Sequence, residues 1–275
     1  MEKSGPRHWF LCAVFVLFVL FLYGPTITIF ILSFQGPDGG LTFPMRGVSL
    51  HWFDDLLFGT QLVGDFGGAI QRTFALALMV MGLTVLIALM AGLAFRRKFF
   101  GATVLFYLTI ASLIVPSILI SLGIGLMFTV VGLQPGWWSS ALGAHLTWTL
   151  PFGVLIMFAV FNRFDHRLEE AARDLGASPW QGFRFVVLPL ILPSLVGVAL
   201  FGFSLSYDEF ARTTMTSGTD NTLPLEIFAM TTNVTTPVLY ALGTLTTVFS
   251  LGLVVVVTLV VLAMRSRRRM AAPAG

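Results

Sequence analysis

Residues 170–189, EAARDLGASPWQGFRFVVLP, decide the fold of this chain, because they form a polar connection between two long apolar stretches. Just before and within this connection, apolar side chains recur at the i, i+3, i+4 and i+7 spacing of one helix face: Leu168, Ala171, Ala172 and Leu175. Gly176 is placed to end that helix in a left-handed conformation. Ser178 and Pro179 are placed to begin a second short helix, and Pro189 predicts a helix break where the next apolar stretch begins.

Composition places the chain in a membrane. Hydrophobic residues make up 56% of the 275 residues and charged residues only 11%, and the mean hydropathy of +0.90 exceeds what a soluble domain needs to fill its core. Stretches long enough to cross a hydrocarbon layer of about 30 Å as helices are Trp9–Leu32, Ile70–Phe95, Ala102–Val131, Leu142–Phe161, Val186–Leu205 and Val238–Met264. We predict an all-α, polytopic membrane protein with six transmembrane helices, forming a single domain over residues 1–275.

The 16 Lys and Arg residues predict the orientation. If the N-terminus is inside, the inner segments hold Lys3, Arg7, Arg96, Arg97, Lys98, Arg163, Arg167, Arg173, Arg184, Arg265, Arg267, Arg268 and Arg269. Only Arg46, Arg72 and Arg212 remain for the outer side. This asymmetry predicts a multi-pass membrane protein with both termini in the cytoplasm. The basic balance follows from topology, so we expect no nucleic-acid partner.

The sequence lacks the motifs for ATP hydrolysis, an intrachain disulfide or a cysteine-based metal cluster. Cys12 is the single cysteine, which excludes an intrachain disulfide and a cysteine-based metal cluster. His145 has no carboxylate or second His nearby in the sequence, and we interpret it as a satisfied histidine at the membrane interface. Neither Lys3 nor Lys98 follows the Gly-rich turn of a phosphate-binding loop. We expect no catalytic, metal or cofactor site, and any ATP and Mg must bind to another polypeptide.

The third apolar stretch contains helix-breaking residues. Pro116 lies in its middle, and Gly123 and Gly125 follow in the same stretch. These residues predict a kink or a locally broken helix. A break frees backbone groups, which must then face protein or a wet cavity rather than lipid. A packing kink without a ligand is an equally good interpretation.

The connection quoted first, within a loop of about residues 162–187, resembles the signature loop of the membrane subunits of ATP-binding-cassette importers. The spacing matches from Glu170-Ala171-Ala172 through Gly176 to Leu188-Pro189, and departs only at Val186, where Ile is more usual. The resemblance implies the type I importer permease fold and a coupling helix that docks on the ATPase subunit. The implied ATPase-coupling residues are Leu168, Glu169, Glu170, Ala171, Ala172, Leu175 and Gly176.

Physical chemistry supports docking of this helix on protein. Small alanines let another backbone approach closely, and charges of both signs surround them. The alternative is an amphipathic helix lying on the inner leaflet. A lipid-binding helix would show large apolar residues and an excess of Lys and Arg, which this helix lacks.

A second stretch, from Phe201 to Leu245, resembles the spermidine/putrescine permease subfamily of these importers. Ser204-Leu205-Ser206-Tyr207-Asp208-Glu209-Phe210 matches its acidic pair after the fifth span, and Asn221-Thr222-Leu223-Pro224-Leu225 matches its outer loop. The implied solute is a polyamine or a related amine. Polyamine-carrying relatives place an acid directly after the proline of the third span, whereas Ser117 follows Pro116 here. This departure favours a monoamine, an amino-acid derivative or a zwitterion.

Acids at the outer end of the fifth span suit an amine. An unpaired carboxylate at a membrane boundary is costly unless water or a cation compensates it, and aromatic faces attract cations. The candidate substrate-pathway residues are Trp52, Ser206, Tyr207, Asp208 and Glu209. The alternative is that both acids are solvated at a helix end. Arg72 offers a counter-charge to an anionic group, although snorkelling to the interface also explains it.

The resemblance implies a set of partners: two ATPase subunits, a second homologous permease, a periplasmic solute-binding protein and the lipid bilayer. Other solutes of the same importer class stay open, namely an amino-acid derivative, an opine, a phosphonate or iron. An ion-coupled secondary transporter normally shows inverted repeats and ionisable residues in mid-span, which are not apparent here. An intramembrane aspartyl protease would need Gly-x-Gly-Asp, and the nearest sequence before Asp65 lacks the first Gly.

Overall fold

A computed structural model of the chain describes residues 6–58, 65–233 and 236–270. Over these residues the regular structure is helical, which confirms the all-α prediction. The α-helices are α1 (Pro6–Leu32), α2 (His51–Phe58), α3 (Phe66–Phe95), α4 (Ala102–Ala111), α5 (Ser117–Val130), α6 (Ser140–Asn162), α7 (Arg167–Asp174), α8 (Pro179–Gly182), α9 (Leu188–Tyr207), α10 (Leu223–Asn233) and α11 (Val238–Met270). A π-helical turn, Phe183–Val187, joins α8 to α9.

Five helical stretches in the described residues are long and apolar enough to cross a membrane. They are Arg7–Leu32, Phe66–Phe95, Ser140–Asn162, Pro179–Tyr207 and Val238–Val256. Each corresponds to a predicted span. The remaining predicted span, Ala102–Val131, consists of the two shorter helices α4 and α5. The break predicted at Pro116 is confirmed, because α5 begins directly after this proline, whose ψ of 133° is not helical.

The chain divides into two compact units. The first comprises Met1–Gly64 and Ile227–Val255. Within it, the Tyr240 hydroxyl donates a hydrogen bond of 2.6 Å to the Leu41 carbonyl, and the start of the α11 stretch packs near α1, where a Cβ on Gly243 would lie 3.3 Å from Ile29. The single-domain organisation over residues 1–275 stays a prediction.

The second unit comprises Asp65–Glu226 and Val256–Gly275, and its core is the three-helix bundle α3, α6 and α9. The largest buried cluster combines all three helices and the π-helical turn: Ala88, Val154, Met157, Phe161, Val187, Ile191, Leu195 and Val198. The rings of Phe74, near the start of α3, and Phe203, near the end of α9, lie 5.6 Å apart. The two helices therefore run in opposite directions.

Helices α3 and α6 run in the same direction. Val80 packs against Ala141 in the N-terminal halves of the two helices, and Gly92 faces Met157 in the C-terminal halves. Two parallel spans require the chain between them to cross back. Helices α4 and α5 together are the segment available for that crossing, which agrees with the six-span prediction.

The helix break predicted at Pro189 is wrong, since the helical stretch continues from Pro179 to Tyr207. The Leu188 N–H donates to the Phe183 carbonyl, five residues earlier, instead of four. Pro189 then lies in the first turn of α9. The wider π-helical turn shifts the hydrogen-bond ladder, so the chain passes a residue without an N–H while staying helical.

Small residues allow close packing of α3 on α6. Lipid tails are as apolar as side chains, so membrane helices associate through van der Waals packing instead of a hydrophobic driving force. A Cβ built on Gly92 would lie 2.9 Å from Met157 and from the Phe161 ring. We expect Gly92→Val to lower the free energy of unfolding by about 1–3 kcal/mol through overpacking. Denaturant unfolding of the purified chain in detergent measures this change.

Gly82 provides the matched control, since it lies on the same helix and a Cβ there would have no neighbour within 4 Å. Gly82→Val introduces the same β-branched residue into open space, with an expected change within about 0.5 kcal/mol. Equal destabilisation by the two variants would contradict the packing argument.

Candidate functional site

The C-terminus of α7 has the geometry that the sequence predicts. Gly176 has φ of +84°, and its N–H donates to the Arg173 carbonyl at 2.8 Å. The Ala177 N–H donates to the Ala172 carbonyl at 3.0 Å. These paired bonds form a Schellman motif, which satisfies the last carbonyls of the helix and favours glycine at the left-handed position.

The start of α8 is also as predicted. The Gln181 N–H donates to Ser178 Oγ at 3.3 Å, and the Ser178 N–H donates to Gln181 Oε1 at 2.8 Å. This reciprocal capping box, with Pro179 at the first helical turn, fixes the direction in which the chain leaves Gly176.

The apolar face of α7 is exposed in this chain. No residue of α7 is buried. Leu175 is 90% exposed and Leu168 is 45% exposed, and Glu170, Ala171 and Gly176 are also exposed, while Ala172 is half-buried. Most of the predicted coupling residues therefore offer a small, mainly apolar surface with charges at its edge.

Glu169 points toward the bundle instead. Its carboxylate accepts two hydrogen bonds from Arg96 at the end of α3, Nη1 to Oε1 at 3.0 Å and Nη2 to Oε2 at 2.6 Å. Arg96 Nη2 also lies 2.9 Å from His166 Nδ1. The guanidinium packs over the rings of Phe161 and Phe164, at 5.3 and 5.5 Å. Arg96 thus fixes α7 to both α3 and α6.

This contact changes the ionisation of Glu169. The hydrogen bonds from Arg96 lower the pKa of Glu169 below its ordinary value of 4.5, although desolvation opposes them. Both side chains are less than one-fifth exposed, so the pair is only weakly screened by solvent.

At the opposite end of the bundle, residues 208–222 form a polar segment, which we name the 208–222 segment. Side chains of the surrounding helices bind its backbone. The Leu223 N–H just after it donates to Thr73 Oγ1 at 2.7 Å, Ser140 Oγ donates to the Thr216 carbonyl at 2.6 Å, and Arg72 Nε donates to the Asn221 carbonyl at 2.8 Å. Arg72 also pairs with Asp65 at 2.8 Å, so its charge is engaged within the chain.

The broken third span packs against the same segment. Ser121 Oγ donates to the Arg212 carbonyl at 2.9 Å and accepts from the Met215 N–H at 3.0 Å. A Cβ on Gly125 would lie 2.5 Å from the Met215 carbonyl oxygen, so the close approach requires glycine. The polar groups near the break therefore face protein.

His145 is buried among protein side chains, and its expected position at the membrane interface stays a prediction. It is 1% exposed. Its Nδ1 lies 2.8 Å from Ser206 Oγ and its Nε2 lies 2.9 Å from Thr213 Oγ1. The expectation that its ring nitrogens are satisfied is confirmed, and the ring links α6, α9 and the 208–222 segment.

The predicted substrate-pathway residues have different environments. Ser206 and Tyr207 are buried, and the Tyr207 ring stacks on Phe203 at 5.8 Å. Asp208 ends α9 and is exposed, and its carboxylate makes no hydrogen bond or ion pair with any residue that the structure describes. Partial desolvation raises the pKa of Asp208 above its ordinary value of 3.8. Trp52 lies in α2 of the first unit, with its ring 4.8 Å from His51.

Glu209 is paired with Arg212, an arginine that is only 1% exposed. The Arg212 N–H donates to Glu209 Oε1 at 2.9 Å, and Nη1 lies 3.3 Å from Oε2. Nη1 also donates to Ser117 Oγ at 2.7 Å. The guanidinium lies over Trp148 at 4.5 Å from the ring centroid. The hydroxyl that follows Pro116 is therefore a ligand of a buried cation.

The family model for the inner membrane component of binding-protein-dependent transport systems matches residues 84–270. The chain belongs to this family. It is a membrane-spanning permease subunit, the translocation component of such a system.

Two curated relatives show how far the similarity extends. The permease is 34% identical over 264 residues to the spermidine/putrescine transport system permease protein PotC of Haemophilus influenzae, covering 94% of this chain and 98% of the relative. It is 29% identical over 251 residues to the protein of the same description from Escherichia coli strain K12, covering 90% and 91%. The resemblance stated from the sequence is confirmed.

Solved structures share the fold. A bacterial ABC transporter involved in the import of the acidic polysaccharide alginate matches with a TM-score of 0.68 and 19% identity, over 96% of this permease and 98% of that chain. The MetNI methionine ABC transporter, in an inward-facing conformation, matches with a TM-score of 0.55 and 19% identity, over 72% and 95%. The predicted importer permease fold is confirmed.

Sequence reasoning missed the partners of two arginines. The sequence analysis used Arg96 and Arg212 only as charges that indicate the topology. In the structure, each arginine bonds a carboxylate and a side chain distant in sequence. For Arg212 a signal exists, because four of the next five residues are Ser or Thr. A cation among hydroxyls is typical of a buried polar segment.

The Arg96–Glu169 pair yields a stability prediction. We expect a double-mutant cycle of Arg96→Gln and Glu169→Gln to give a coupling energy of about 1.5–3 kcal/mol in the free energy of unfolding in detergent, because the hydrogen bonds are charge-assisted. The coupling should be complete above pH 4.5 and decrease as the pH falls through the lowered pKa of Glu169.

The adjacent Arg97 is exposed, so Arg97→Gln serves as the charge-matched control and should change the free energy of unfolding by less than about 0.5 kcal/mol. A coupling energy near zero, or one that does not change with pH, would show that the pair does not hold α7.

Proposed function

We propose that this permease imports a small amine-bearing solute, either a polyamine or a related amine. A separate ATPase subunit hydrolyses the ATP that drives the import. The relatives named above support the class, since both are described as spermidine/putrescine permeases. The exposed carboxylate of Asp208, which no described cation neutralises, suits an ammonium group. Charge-assisted hydrogen bonds of this kind are among the stronger ones in proteins.

The exposed face of α7 is the observation that carries the coupling proposal. A helix whose Leu175 is 90% exposed leaves apolar surface for a partner to cover. The Schellman motif and the capping box fix the shape of this surface, so docking orders little additional chain. We assign the docking surface for the ATPase to Glu170, Ala171, Leu175 and Gly176. Glu169 transmits movements of α7 to α3 through its hydrogen bonds with Arg96.

The assembly that we propose contains two ATPase subunits, which bind ATP and Mg, a second homologous permease and a periplasmic solute-binding protein. The family is named for its dependence on a binding protein. One structure that shares the fold contains an alginate transporter with a pentasaccharide-bound periplasmic protein. Uptake then proceeds by alternating access between states that differ by a few kcal/mol.

We place both termini in the cytoplasm, as the thirteen-to-three distribution of Lys and Arg indicates. This orientation puts α7 on the cytoplasmic side, where ATP is available to an ATPase. It puts the 208–222 segment on the outer side, where a binding protein delivers the solute.

Gly176→Asp tests the coupling. The substitution strains a left-handed backbone position and places a charge in the docking surface, so we expect binding-protein-stimulated ATP hydrolysis and uptake to fall by at least about a hundredfold, a loss of roughly 3 kcal/mol in coupling. Insertion in the membrane should be unchanged. Reconstituted ATPase and uptake assays measure both activities.

Gly132→Asp is the matched control. Gly132 also has positive φ, of +78°, with open space around it, but it follows α5, well separated in sequence from α7. It carries the same backbone strain and the same charge, and should retain coupled hydrolysis. Full coupling in Gly176→Asp would refute the docking proposal.

The orientation has its own test, starting from a variant in which Cys12, the single cysteine, is replaced by serine. We expect a cysteine at Arg97, which is exposed directly after α3, to react with a membrane-impermeant maleimide only after the cells are opened. A cysteine at Trp138, which is 64% exposed, should react in intact cells. The reverse pattern would overturn the proposed orientation.

A further inference from the structure

The guanidinium of Arg212 has one edge that the protein hardly uses. Nη1 takes both strong side-chain contacts, Ser117 Oγ at 2.7 Å and Glu209 Oε2 at 3.3 Å. Nε has only the Thr147 hydroxyl at a long 3.4 Å. Nη2 is buried and has no hydrogen-bond partner among the described residues. The Nε–Nη2 edge is therefore held by a single weak contact.

A purely structural clamp does not require this arrangement. Ser117 and Glu209 already fix the arginine, and the backbone of the 208–222 segment is held independently by Ser121 and Ser140. A buried cationic N–H without an acceptor is destabilising, because its lost hydration is not replaced. An acceptor that arrives with a ligand would remove this cost. The guanidinium edge is planar and bidentate, the geometry that matches a carboxylate.

A cavity is lined in part by Thr147, the residue whose hydroxyl contacts Arg212 Nε. It has a volume of about 540 Å³ and lies between α3, α4 and α6. It extends from Phe99, beyond the C-terminal end of α3, to Thr147 in the N-terminal half of α6. In the proposed orientation it therefore runs from the inner side into the outer half of the membrane.

This end of the bundle carries charged groups of both signs: Asp208, Glu209 and Arg212. Glu209 is neutralised by Arg212, while Asp208, the adjacent carboxylate, has no described partner. This end of the bundle therefore has one carboxylate without a described partner and one guanidinium edge with a single long contact. One ammonium group of a diamine would match the Asp208 carboxylate. Its second ammonium group would be repelled by Arg212 and has no acceptor for the guanidinium N–H groups.

We propose that the Nε–Nη2 edge of Arg212 is an anion subsite of the translocation pathway, and that the solute carries a carboxylate together with its amine. The carboxylate displaces the Thr147 hydroxyl and binds the guanidinium edge, while the ammonium group binds near Asp208. This inference rests on the proposed function as an amine importer and narrows the solute to amino-carboxylates.

The test compares probes that differ in a single group. Each α,ω-diamine is paired with the ω-aminocarboxylate of the same chain length, for example putrescine with 4-aminobutanoate. The complete transporter, with its partner permease and ATPases, is reconstituted in nanodiscs. The solute-binding protein is omitted, so that each probe acts on the permease directly, and the concentration of each probe that gives half-maximal stimulation of ATP hydrolysis is measured. We expect the aminocarboxylates to act at lower concentrations than the matched diamines in the wild-type transporter.

Arg212→Met should raise the half-maximal concentration of the aminocarboxylates by about ten- to a hundredfold and leave that of the diamines unchanged, since a charge-assisted contact is lost only for the former. Arg212→Lys keeps the positive charge but not the bidentate edge, so it should produce a smaller loss in the same series. Asp208→Asn should raise the half-maximal concentrations of both series, because both carry an ammonium group.

Ser121→Ala is the structural control, because it loosens the 208–222 segment without touching the guanidinium. It should shift both series equally or shift neither. The inference is overturned if diamines act at equal or lower concentrations at every chain length, if Arg212→Met shifts both series equally, or if neither series acts. The proposed importer function is judged separately, by whether Gly176→Asp abolishes hydrolysis stimulated by the binding protein.

Discussion

A polar group buried in a membrane protein has no water to bond, so its partner must come from the chain itself. This constraint organises the end of the bundle that holds the 208–222 segment. Thr73 of α3, Ser121 of α5, Ser140 of α6 and Ser206 of α9 each contribute a hydroxyl that bonds to this segment, to Leu223 directly after it, or to His145. A segment that is irregular in backbone thereby fixes the relative positions of four helices. Moving any of them breaks several buried hydrogen bonds at once.

The two ends of the bundle are built differently. At the α7 end, Arg96 holds a surface helix by one bidentate ion pair, which is strong but local. At the other end, the Arg212–Glu209 pair is embedded in a network of hydroxyls, where bonds polarise one another and the loss of one affects the rest. The α7 end therefore depends on the Arg96 contacts and on the connection through α8, whereas the far end depends on many hydrogen bonds.

Local rules account for most of what the sequence predicted correctly. Gly176, Ser178 and Pro179 act on backbone within a few residues, so the α7–α8 connection followed from the sequence alone. Apolar length was enough to place the long spans, and Pro116 to place the break in the third. The pairing of Arg212 with Ser117 was not predictable, because 95 residues separate them and only the packing of α5 on the 208–222 segment brings them together. The prediction of a helix break at Pro189 was wrong, because a π-helical turn before the proline keeps the chain helical. The residue types in this stretch do not distinguish such a turn from a break.

That π-helical turn gives α9 a property that a uniform helix lacks. A π-turn holds one residue more than an α-helical turn, so it amounts to an inserted residue. Expelling that residue would rotate the helix beyond it by about 100° and advance it by about 1.5 Å, the increments of a single helical residue. The turn lies between the connection at Gly176 and the part of α9 that ends at Asp208. The π-helical turn therefore determines which side chains α9 presents along the rest of its length, because it shifts the register of the helix by one residue.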